Sequence, residues 1–151
     1  MSMEAYVLCS RPIGSIEDWQ GAIDALGFDL RFRTGGSLSG HAGHLPAVWR
    51  GQEAGFEFYS CSSEDVAELA DDLDLDLGGP WPFGYAFRYG GLSSCVGTWF
   101  AVAACLRMTG GIAVETEEGK ILKPEEAIPF ARDTEVSMMQ MERDLLGDVR
   151  E

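Results

Sequence analysis

Apolar residues recur along this chain with two periods, and the switches between them predict interleaved strands and helices. Over residues 4–9, Tyr6 and Leu8 face one way and Val7 and Cys9 the other, which predicts a strand buried on both faces. Ser15-Ile16-Glu17-Asp18 has the spacing of a capping box, with Asp in place of the usual Glu. Ile16, Trp19, Ile23 and Leu26 then share one helical face until Gly27 ends the run. Phe28, Leu30 and Phe32 alternate with Asp29, Arg31 and Arg33, so residues 28–33 read as a strand with one wet face. Residues 34–46 are rich in Gly and Ser, hold both histidines and predict a mobile loop. Residues 47–50 and 55–61 read as the two strands of a hairpin around Gly51-Gln52-Glu53-Ala54.

Ser62-Ser63-Glu64-Asp65 opens a second helix, whose Val66, Leu69, Leu73 and Leu77 keep a helical rhythm until Gly78-Gly79-Pro80 stops it. An aromatic ring then occupies every second position, at Trp81, Phe83, Tyr85, Phe87 and Tyr89, which predicts a strand over 83–89. Ser93 or Ser94 caps the next helix, which runs to about Met108 and is apolar on nearly every side through Val96, Trp99, Phe100, Val102, Ala103 and Leu106. Such a helix belongs at the centre of the core. Residues 112–115 and 120–122 form a hairpin around Glu117-Glu118-Gly119, and Pro124-Glu125-Glu126 opens a further helix. The tail over 134–146 is helical in pattern, with Met138, Met141 and Leu145 on one stripe. Hairpins outnumber crossovers. The expected fold is therefore a single α+β domain over 1–151, a mostly antiparallel sheet packed around a buried apolar helix at about 92–108.

Charge narrows the function. The chain has 151 residues, with 11 Lys and Arg against 25 Asp and Glu, a formal charge of −14. Nucleic-acid binding and attachment to an anionic membrane both need clustered cations, and no such run is present. The excess is uneven: −1 over residues 1–50, −7 over 51–110 and −6 over 111–151, densest between Glu64 and Asp76. Met1 to Ser10 carries Glu4 and no basic stretch, which argues against a secretory leader and for a cytoplasmic protein. The four cysteines Cys9, Cys61, Cys95 and Cys105 sit in apolar segments without C-x-x-C spacing and read as reduced core thiols.

Four constellations carry candidate chemistry. Asp72-Leu73-Asp74-Leu75-Asp76 supplies the first, third and fifth carboxylates of a calcium loop, but its sixth and twelfth places hold Leu77 and Phe83, so no metal is expected there. Cys95 is the best nucleophile, because a helix N-terminus lowers a thiol pKa, and His41 or His44 would be its base. Against it, the thiol begins a run of core residues and no side chain is assigned to orient the histidine. His41-Ala42-Gly43-His44 lacks the further ligands of a zinc site, and Gly35, Gly36 and Gly40 form no phosphate-binding loop; no cofactor is expected. The fourth is the acidic segment itself. Asp71, Asp72, Asp74 and Asp76, beside Trp81, combine an aromatic anchor with a carboxylate rim, the composition of a protein-binding hot spot.

Several stretches together resemble a family. They are Met3-Glu4-Ala5-Tyr6-Val7-Leu8, the helix of Trp19, the Phe87-Arg88-Tyr89-Gly90-Gly91 turn into an alanine-rich helix, and Thr109-Gly110-Gly111 followed by Glu118-Gly119-Lys120. This layout is similar to that of small bacterial proteins that include immunity partners of polymorphic and contact-delivered toxins. The resemblance implies a non-catalytic, cytoplasmic protein that binds one toxin domain and neutralises it, and it transfers no catalytic set. A basic toxin domain would be drawn in by the charge. The alternative, from a different class, is a small Cys-dependent hydrolase or transferase using Cys95 with a loop histidine.

Overall fold

A computed structural model, describing residues 3–38, 41–79 and 81–150, begins with β1 (Met3–Cys9), α1 (Ile16–Ala25), β2 (Arg31–Phe32), β3 (Ala42–Leu45), β4 (Ala47–Trp49) and β5 (Gln52–Glu53). It continues with β6 (Phe56–Cys61), α2 (Ser63–Asp72), β7 (Phe83–Tyr89), α3 (Leu92–Thr109), β8 (Ile112–Glu115), β9 (Lys120–Leu122) and α4 (Pro124–Arg150). Six strands form one sheet in the order β3-β6-β7-β1-β8-β9, every neighbouring pair antiparallel. The other three form a small sheet, β2-β4-β5. The architecture is α+β, as the alternation of periods predicts.

Residue alternation gives the large sheet two different apolar faces. Ala5 and Val7 of β1 align with Phe87 and Tyr85 of β7, and all four are buried against α3. Trp19 of α1 packs in the same layer, its indole N–H donating to the Ala101 carbonyl at 2.8 Å, so the buried ring leaves no polar atom unpaired. Tyr6 and Leu8 point through the opposite face, where they meet Val66 of α2, Ile112, Val114 and three leucines that follow α2. Opposite them in β7 stand Ala86 and Gly84, small residues that leave room for this second layer. A Cβ on Gly84 would lie 2.9 Å from the Cys61 carbonyl oxygen, so only glycine fits there.

Helix α3 is the core helix that the sequence predicts, lying against α1, α4 and both sheets. By length and composition it is apolar enough to cross a membrane, yet 67% of it is buried within this fold. Its start differs from expectation. Gly91, at φ 89°, takes the capping position with no side-chain cap, and the Ser93 hydroxyl donates instead to the Glu53 carbonyl at 2.6 Å.

Four other expectations are corrected. Within residues 28–33 only Arg31 and Phe32 join a ladder; Phe28 N–H still bonds back to Ile23, and Phe28 stacks on Phe100 at 4.3 Å. The segment 34–46, read as a loop, contains the edge strand β3, while its Gly40 lies outside the described residues. The hairpin at 47–61 also re-pairs. Strand β4 turns through Arg50 and Gly51 onto β5, whereas β6 joins the large sheet between β3 and β7. Finally, 134–146 is helical as its pattern predicts, as the continuation of α4 through Pro129, but its apolar stripe is not one face. Its Met138 packs on the core, but Met141 and Leu145 are exposed, so the apolar stripe is divided.

Candidate partner-binding groove

The acidic segment takes its shape from how α2 ends. Ser62 caps the helix by accepting the Asp65 N–H at 3.2 Å, and Glu64 and Asp65 favour the N-terminal dipole. The sequence predicts helical rhythm as far as Leu77, but α2 stops at Asp72. Asp74 adopts the left-handed conformation at φ 58°, and Leu75 N–H reaches back to the Ala70 carbonyl at 2.8 Å, closing the helix in a Schellman-type turn. Glycine usually fills that turn position. Aspartate is among the few side chains that tolerate it.

Beyond the turn the burial of successive residues alternates. Leu73, Leu75 and Leu77 pack inward on the second sheet face, while Asp72, Asp74 and Asp76 are exposed. Asp76 accepts the Gly78 N–H at 3.0 Å, and the Trp81 indole N–H donates to the Leu77 carbonyl at 2.9 Å. The segment therefore folds back over the helix. Between them lies an open groove of about 360 Å3 with a floor of Leu8, Ala67, Ala70, Leu75, Leu77 and Trp81. Glu64, Asp71 and Asp76 supply its carboxylates.

Of the five residues singled out by sequence, Asp71, Asp76 and Trp81 meet at this groove, while Asp72 and Asp74 are exposed outside its lining. Glu64 joins them. Its signal was present, since Glu64, Ala67 and Asp71 fall at i, i+3 and i+7 and so share one helix face. Pro80, the expected helix stop, lies outside the described residues.

Cys95 has the opposite electrostatics to an activated thiol. Burial pushes its pKa up to about 11, and the Glu117 and Glu115 carboxylates push in the same direction. The expected lowering by the helix N-terminus is overturned by desolvation and like charge. His41 lies against the Phe58 ring, with a ring nitrogen 3.3 Å from the Gly43 carbonyl, and His44 Nε2 sits 3.6 Å from a Glu53 carboxylate oxygen. Burial likewise raises the thiol pKa of Cys9, Cys61 and Cys105. Among the described residues no three His, Cys, Asp or Glu side chains come together as metal ligands. No protein-family model matches the chain, and no curated protein or solved structure is detectably similar to it.

Proposed function

We propose that this protein is a non-catalytic acidic binding protein, an immunity protein of the bacterial cytoplasm that docks a basic toxin domain at the groove that α2 forms with residues 75–79 and Trp81. The observation that carries this reading is an indole held by the Leu77 carbonyl within an apolar groove that Glu64, Asp71 and Asp76 also line. An interface hot spot needs such a desolvated anchor, and its charged rim contributes mostly to encounter rate and specificity. The charge of −14 extends that attraction beyond the groove. The competing class, a thiol-dependent hydrolase or transferase, is disfavoured because Cys95 is surrounded by burial and carboxylates that keep it protonated.

The test uses a toxin domain encoded beside this protein's gene, with association followed at two salt concentrations. Asp74→Lys with Asp76→Lys should slow association and flatten its salt dependence, while Trp81→Ala should speed dissociation. Kinetics unchanged in both variants would overturn the assignment of this groove.

A further inference from the structure

The strongest departure from the acidic surface lies on the small sheet. Arg31 of β2 stands opposite Val48 of β4, and the Arg33 N–H extends that pairing by donating to the Pro46 carbonyl at 2.9 Å. Alternation sends Phe32 into the core and leaves Arg31 and Arg33 exposed. Arg50 follows two residues after Val48, in the turn onto β5. Together the three arginines and Val48 line a groove of about 480 Å3. Asp29 is the one carboxylate in its lining.

Two observations bear on this groove. First, among the described residues the guanidiniums of Arg31 and Arg33 have no ion-pair or hydrogen-bond partner, although the chain offers 25 carboxylates to only 11 cations. Two unpaired like charges two residues apart on a strand repel one another unless an anion lies between them. Second, Arg50 holds φ 51° beside Gly51 at φ 77°, the two-residue mirror-image turn in which Asn, Asp or Gly is favoured. Part of what Arg50 gains there is local, since its guanidinium lies 5.8 Å from the Trp49 ring centre and donates to Met139 Sδ. Those contacts hold the guanidinium toward Trp49 and α4, so Arg50 lines the groove as a flank to Arg31 and Arg33.

We propose that this groove binds the phosphate group of a small phosphorylated ligand. Arg31 and Arg33 would grip its oxygens, with Arg50 adding charge at the rim. A guanidinium presents a planar fork of donors that matches phosphate oxygens two at a time, and several forks together suit a multiply charged phosphate better than a single carboxylate. The groove's volume falls within the range of small-ligand sites. The proposal is independent of the toxin-binding reading, because Phe32 and Trp49 beside this groove pack in the layer of α1 and α3, whereas the aspartates lie with α2 on the opposite face of the large sheet.

The probe is inorganic pyrophosphate, titrated into the whole protein at low salt and followed by calorimetry and by amide chemical shifts. Saturable binding is expected, with shifts confined to residues 29–33 and 46–51. Affinity should fall about tenfold or more in Arg31→Gln with Arg33→Gln, the loss of two charge-assisted contacts. Both side chains are exposed and their mutual repulsion is removed, so this variant should hold or slightly raise the parent's thermal midpoint, and single Arg33→Gln gives an intermediate affinity. The control Arg11→Gln, away from the groove, should bind like the parent. No binding at millimolar pyrophosphate, or equal binding by parent and double variant, overturns the proposal. Tighter binding of glutarate than of pyrophosphate overturns the phosphate assignment in favour of a carboxylate ligand.

Discussion

Gly97 of α3 lies so close to Ala54 that a Cβ on the glycine would stand 2.2 Å from the Ala54 carbonyl oxygen. The core helix thus touches the link between the two sheets backbone to backbone. Gly97→Ala gains about 1 kcal/mol of helix propensity but forces the contact apart, and overpacking of this kind costs about 1–3 kcal/mol or more. With backbone as the obstacle the second effect wins. A lower urea midpoint is expected, and an unchanged or higher one would contradict this close approach.

The neighbouring Thr98 is fully buried, and its hydroxyl has no hydrogen-bond partner among the described residues. Thr98→Val keeps the shape and removes the unsatisfied group, so stability should hold or rise by about 1 kcal/mol. Thr109→Val should do the reverse, because the Thr109 hydroxyl donates to the Cys105 carbonyl at 2.7 Å. Equal effects of the two substitutions on the thermal midpoint would refute the difference.

Two thiols expected in the core, Cys61 and Cys95, are only half-buried, and they set an alkaline limit. Cys61 and Cys95 are raised from 9.0 to about 11 in the fold, so the unfolded chain loses these protons first. Below pH 9 both states are protonated and the thiols leave stability unchanged. As pH rises from about 9 to about 11 the unfolded state is favoured and stability falls. A pH series of denaturant midpoints for the parent and for Cys61→Ala with Cys95→Ala checks this, since the double variant should lose part of the decline. In the native protein Cys95 should also react with a thiol reagent far more slowly at neutral pH than a free thiol does. Rapid native-state labelling would revive the enzyme reading.

At Asp74 the left-handed turn favours glycine. Asp74→Gly should raise stability by a few tenths to about 1 kcal/mol, whereas a β-branched residue such as Val should lower it by more. Denaturation midpoints for the pair would measure this, and the opposite order would mean that α2 does not end at this turn.

The same residue shows where sequence reading reaches its limit. Val66, Leu69, Leu73 and Leu77 satisfy a helical period, while Leu73, Leu75 and Leu77 satisfy a strand period, so the run fits both. The helix end is decided by an aspartate in a glycine's place, which no periodicity reveals. The placement of Trp81 at the groove was legible because it precedes an unambiguous aromatic strand, and that of Asp71 because it lies within the helix proper. The groove joining them depends on the chain folding back, a tertiary event. Strand β3 was hidden for a different reason. Its Ala42-Gly43-His44-Leu45 has weak strand propensity and is held by pairing with Phe58 and Phe56 of β6. The re-paired hairpin at β4 has the same cause, since sequence proximity favoured β6 but the ladder of β7 claimed it. The central helix and the β8–β9 hairpin were readable from local pattern alone.

The position of β1 constrains the order in which the molecule can assemble. Its first residue pairs with Tyr89 and its third with Glu115, so β1 is synthesised well before either of its partners and waits for both. Helix α3 emerges in the interval, before β8 and α4 are there to cover it. Such non-local closure slows folding and leaves apolar surface open on the way. The nascent chain is therefore expected to present its most membrane-like helix uncovered, which makes it a natural client for chaperones during synthesis.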